Sequence, residues 1–102
     1  MHPPRRTQAA ARLAALLLLA AAGCTSIPYQ EMSDARQAIE AARPVVSGEP
    51  GPRAQVDEAR ELLDEAEAYL RAGRYSRARQ TAEQARALAI DAREEAAAEG
   101  DQ

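Results

Sequence analysis

From Tyr75 onward the chain places Tyr75, Ala78, Ala82, Ala85, Ala89, Ala92 and Ala96 at alternating steps of three and four. That spacing puts all seven on one face of an α-helix. A face made of alanine covers little area, but it lets a neighbouring helix approach to the short end of the usual separation of roughly 8–10 Å. Alanine also favours the helical backbone itself. The segment 75–99 therefore reads as one long helix of a closely packed helical assembly. Leu88 flanks the seam and Ile90 lies off it.

The preceding segment supplies the bulk that an alanine face lacks. Val56, Ala59, Leu63, Ala66 and Leu70 repeat the three-four pattern over 53–72, and Leu62 and Tyr69 widen the stripe. Asp57, Glu58 and Glu61 suit the positive end of the helix dipole. Gly73 stands where a helix end calls for a residue free to take positive φ. A turn at 73–74 leaves the two helices no course except to fold back as an antiparallel hairpin. Leu63 is then expected near Ala82 and Val56 near Ala89, large residues facing small ones.

A first helix is expected over 29–43, with Met32, Ala35, Ile39 and Ala42 on its apolar face. Pro28 suits the start of a helix, and Pro44 is expected to stop it at Arg43. The segment 44–52, PVVSGEPGP, reads as a Pro/Gly linker, with Val45 and Val46 able to tuck back over the bundle. Residues 100–102 form a tail. The run ARQxxExAR at 35–43 recurs at 78–86, which suggests that the first and third helices are equivalent flanks of the second. The expected fold is all-α: a three-helix domain built on a long Ala-rich antiparallel hairpin, with the first helix covering the remaining groove. Its large apolar residues are few, so marginal stability and either self-association or packing on a protein partner are expected.

Ahead of this domain, Arg5, Arg6 and Arg12 precede an apolar run from Leu13 to Ala22, and small residues lead up to Cys24. A basic zone, a short apolar zone and a small-residue end are the pattern of a secretory signal peptide, here 1–23. The apolar run is about half of the roughly 20 residues a spanning helix needs. The tetrapeptide Ala21-Ala22-Gly23-Cys24 resembles a bacterial lipobox. That resemblance implies cleavage after Gly23, acylation of Cys24 and a lipidated tether over 24–28. The alternative is an ordinary signal peptide cut at or near Gly23, leaving Cys24 unmodified. Two or more acyl chains hold a protein stably on a membrane where one does not. By resemblance to Gram-negative lipoproteins, Asp after the cysteine would favour retention at the inner membrane. Thr25 carries no such signal, so the expected location is the periplasmic face of the outer membrane.

Removing the leader leaves 79 of 102 residues, room for one small domain. Three arginines leave with it, so the formal net charge of −3 becomes about −6. Nucleic acid is therefore not an expected partner, on grounds of both charge and compartment. His2, the one histidine, lies in the leader, and the chain has neither Phe nor Trp. With Cys24 acylated, no Ser–His or Cys–His pair, no His or Cys metal site and no aromatic stacking platform can be assembled. The acids are spaced as a solvated helix surface. No enzyme activity, cofactor, metal or small-molecule substrate is expected.

Two wider resemblances follow from these residues. Leu62, Ala66 and Tyr69, then Gly73, Tyr75, Ala78 and Ala85, make the hairpin resemble a single tetratricopeptide unit. One unit is too few for the stacked arrays that such repeats form. The lipobox, the A-R-x-A-I-x-x-A helix, the Pro-rich break and the pattern A-x-x-L-L-x-x-A-x-x-x-L-x-x-G-x-Y-x-x-A together resemble small bacterial lipoproteins of the domain of unknown function 4398 family. That family has no assigned activity, so the resemblance implies fold and location only.

Arg71, Arg74, Arg77 and Arg79 cluster at the hairpin tip, while acids concentrate at 57–67 and 91–101. The four arginines are candidate contacts for an anionic partner: lipid phosphates, wall-peptide carboxylates or an acidic protein face. The expected function is a membrane-anchored, non-enzymatic structural or adaptor lipoprotein. The competing expectation is a chaperone-like accessory factor that holds a peptide or protein in a helical groove.

Overall fold

The structure is a computed structural model that describes residues 26–100. Among them are three α-helices and no strand: α1 (Tyr29–Val46), α2 (Pro50–Arg71) and α3 (Tyr75–Gly100). The expected all-helical, three-helix fold is present, and α2 and α3 form its hairpin.

α1 is three residues longer at its C-terminal end than the proline rule predicts, running through Pro44 to Val46. Pro44 has no N–H for the Glu40 carbonyl, but Glu40 is exposed and water can take that place. Only one further turn is involved, and the burial of Val46, 1% exposed, holds it down. The Ser47 hydroxyl donates to the Pro44 carbonyl at 3.2 Å, occupying one of the last-turn acceptors that a helix leaves open. Val45 points outward, so only one of the two valines tucks in.

α2 starts three residues earlier than expected, at Pro50. Pro50 and Pro52 fall in the first turn, where N–H groups have no acceptor within the helix and their loss costs little. The first bond of the helix runs from the Arg53 N–H to the Glu49 carbonyl, 2.9 Å. The linker expected over 44–52 thus contracts to residues 47–49.

At the other end of α2, Gly73 takes φ of +75°. Its N–H donates to the Leu70 carbonyl (3.0 Å) and that of Arg74 to the Tyr69 carbonyl (2.9 Å). This pair of bonds is the Schellman closure of a helix, which satisfies two terminal carbonyls and turns the chain. α3 follows at once.

The core is made as the periodicities require. Ala78, Ala82, Ala85, Ala89 and Ala92 have no exposed surface, and Ala96 has 4%. Against them lie Met32, Ile39 and Val46 from α1, and Val56 and Leu63 from α2. Leu62, Leu70 and Leu88 are partly buried around this cluster. The arrangement corrects one expectation: α3, not α2, is the central helix. It touches both others extensively, while α1 and α2 meet each other less. A seam of methyl groups is shallow enough to receive two bulky neighbours side by side, which a leucine stripe is not. The repeated motif therefore does not mark equivalent flanks; what its two copies share is burial, of Ala35 and Ala42 in α1 and of Ala78 and Ala85 in α3.

Candidate functional site

Polar pairs between helices fix which ends lie together. Arg36 of α1 pairs with Glu67 of α2 at 3.1 Å. Arg79 of α3 pairs with Glu31 of α1, also at 3.1 Å. The Gln55 amide of α2 donates to Glu95 of α3 at 3.0 Å. The start of α1, the end of α2 and the start of α3 therefore share one end of the bundle, with the Gly73 turn at its apex.

This end carries Arg71, Arg74, Arg77 and Arg79 with no acid between residues 69 and 79. It also carries Tyr29, Tyr69 and Tyr75, the entire aromatic complement of the chain. Tyr29 is 66% exposed, and Ile27 beside it is exposed as well. The Arg77 guanidinium lies over the Tyr69 ring, 5.8 Å from its centroid, a cation–π contact that holds both side chains at the surface. The Tyr69 hydroxyl donates to Glu65 one turn back, 3.1 Å.

The four expected arginines do not act alike. Arg71, Arg74 and Arg77 are exposed, and among the described residues none of them has a carboxylate partner. Arg79 is half-buried and already engaged. Its Nε donates to Glu31, and its Nη2 donates to the Ser26 carbonyl (2.8 Å) and hydroxyl (3.3 Å). Arg79 is therefore a fastening between α3 and the segment leading into α1, and it leaves the set of candidate partner contacts. Gly23 and Cys24, with the leader before them, lie outside the described residues.

The opposite end is acidic. Glu49, just before α2, shares a hydrogen bond with Glu99 near the end of α3, which pushes the Glu99 carboxyl above its ordinary range. Partial desolvation and the charges of Glu49 and Glu95 act in the same direction. Near this end a shallow cleft of about 240 Å³ opens between α1 and α2, with Val46 and Val56 as its apolar part and Arg43, Arg53 and Arg60 around it.

Among the described residues, no group of His, Cys, Asp or Glu is placed to hold a metal ion, and no helix is long and apolar enough to cross a membrane. In comparisons with known proteins, the chain matches no family profile, no curated protein and no solved structure.

Proposed function

We propose that this chain is a lipid-anchored envelope lipoprotein, acylated at Cys24 after cleavage at Gly23. It acts as a non-enzymatic structural or adaptor protein on the periplasmic face of the outer membrane. The observation that carries the reading is the placement of a lone cysteine after a basic-then-apolar leader and two residues before Ser26, which Arg79 fastens to the bundle. A tether of that length keeps the domain against the headgroups, where a helical bundle with no catalytic inventory serves by contact. The kinship with the domain of unknown function 4398 lipoproteins is part of this proposal and rests on the motif pattern alone.

Metabolic labelling with palmitate tests the anchor. The wild-type chain takes up label and fractionates with the outer membrane, while Cys24→Ser does neither. Label that persists in the variant sinks the reading.

The cleft between α1 and α2 favours a second reading, a chaperone-like factor that holds a peptide or protein segment there. Crosslinking in cells separates the two. An adaptor gives one stoichiometric partner or a self-adduct, and a client-binding factor gives a heterogeneous set that disappears on Val56→Arg.

A further inference from the structure

The chain enters α1 at the same end of the bundle as the α2–α3 turn, and that is also the end where charge and aromatic character gather. We propose that this end is a docking surface for anionic phospholipid headgroups, formed by Arg71, Arg74 and Arg77 with Tyr29, Tyr69 and Tyr75. The bundle then stands with its hairpin turn on the membrane and its acidic end directed away. The proposal rests on the reading of Cys24 as a lipid anchor.

The distances decide in its favour. Cys24 and Ser26 are two residues apart, so their Cα atoms are separated by at most about 7 Å. Arg77 lies on the first turn of α3 two residues before Arg79, and Arg74 immediately precedes the helix. Acyl chains entering a bilayer from Cys24 thus turn the end that carries the three arginines toward the phosphates, whose attraction reaches about one Debye length, roughly 8–10 Å at ordinary salt. The three guanidiniums have no carboxylate partner among the described residues, so their donors remain for phosphate oxygens. Arg79, which does have partners, holds the tether instead.

The tyrosines fit the same surface. Their rings are apolar and their hydroxyls polar, the combination enriched where a bilayer meets water. All three sit at the anchored end and none at the other. The far end sets Glu49, Glu95 and Glu99 beside Arg43, Arg53 and Arg60, so its mixed charge offers an anionic leaflet less than the tip, where no acid lies between residues 69 and 79.

The chain has three tyrosines and no tryptophan, so its intrinsic fluorescence reports on this end alone. The processed protein, purified from an envelope fraction, is placed in vesicles of phosphatidylcholine with or without about 30% phosphatidylglycerol, each carrying a nitroxide-labelled lipid. The expected result is tyrosine quenching about twofold stronger with phosphatidylglycerol, an excess that high salt weakens. R71Q/R74Q/R77Q loses that excess while it still floats with the vesicles and keeps its helical circular dichroism. Quenching that ignores both the lipid charge and the three substitutions overturns the docking surface, and continued flotation then leaves the anchor standing. A wild-type protein that lacks label and does not float overturns the anchor. In that case docking requires phosphatidylglycerol-dependent co-sedimentation that R71Q/R74Q/R77Q abolishes, and its absence overturns docking as well. If the substitutions change crosslinking to a protein but not the quenching, the tip meets a protein face and the lipid assignment is wrong.

Discussion

Arg79 Nε lies 3.1 Å from Glu31 Oε1, and Arg79 Nη2 lies 2.8 Å from the carbonyl oxygen of Ser26. One guanidinium therefore joins α3 to the first turn of α1 and to the segment that precedes it. Both side chains of the ion pair are about a quarter to a third exposed, so solvent discounts its strength. Replacing Arg79 by Gln is expected to cost about 1 kcal/mol, measured by thermal or denaturant unfolding. Arg79→Lys keeps the charge but cannot present a fork to two partners, so it recovers only part of the loss. Full recovery by Lys would show that charge alone matters.

The alanine seam makes a second expectation sharp. Ala85 has no exposed surface and lies where α3 meets both neighbours. Ala85→Leu must push a helix away and is expected to destabilise by about 1–3 kcal/mol. Ala87, two residues on and exposed, serves as the control, since Ala87→Leu should stay within about 0.5 kcal/mol of wild type. Equal effects at both positions would mean that the close approach is not what the seam provides.

At Gly73 the backbone alone is at stake. Its φ is +75°, and a Cβ built there meets nothing within 4 Å. Gly73→Ala is therefore expected to cost about 1–2 kcal/mol from the left-handed conformation, with no steric term added. Gly73→Asn should cost less, because Asn tolerates that region. Unfolding midpoints of the two variants, compared with wild type, check both the size and the order.

The acidic end yields a pH prediction. Glu99 shares a hydrogen bond with Glu49, so the folded chain holds the proton of this pair more tightly than the unfolded chain does. For an acid with a raised folded value, protonation favours the folded state. That preference is complete as pH falls below the ordinary value of 4.5 and turns into repulsion from Glu49 and Glu95 as pH rises past the folded value. A side-chain carboxyl titration by NMR should therefore place the Glu99 midpoint above 4.5. Glu49→Gln should bring that midpoint down. A midpoint at or below the ordinary value in wild type would remove the argument.

Much of this fold is legible in the order of residues, because side-chain spacing and helix geometry share one period. Met32, Ala35, Ile39 and Ala42, like Val56, Ala59, Leu63 and Ala66, sit in the core where a period of 3.6 places them. The segment between α1 and α2 is misread because a proline matters only through the N–H it lacks. Pro50 and Pro52 lie where no N–H is used, and Pro44 lies one turn from an end that Val46 holds by burial. Periodicity also tells which face is inward without telling how many helices that face meets, so the central place of α3 is not visible in it. Buried Thr81, beside the seam, is hidden for the same reason.

The site divides in a similar way. A cluster of four arginines around a tight turn can be read directly, but the engagement of Arg79 depends on a partner 48 positions away in the chain. The gathering of Tyr29 with Tyr69 and Tyr75 follows from topology, since a short link between α1 and α2 returns the start of α1 to the hairpin turn. The three-residue span 47–49 is what makes that return obligatory.

A face built from one kind of side chain has no landmarks along its length. Moving α3 by one turn, about 5.4 Å, would present much the same methyl surface to Ile39 and Leu63. The register is therefore fixed at the margins, by the tight turn at Gly73, by Arg79 with Glu31, and by Gln55 with Glu95. Lengthening the Gly73 turn while removing those two pairs would leave a helical protein that no longer has a single alignment. Several arrangements of nearly equal energy would coexist, each well packed, and the identity of the native state would be lost before its secondary structure.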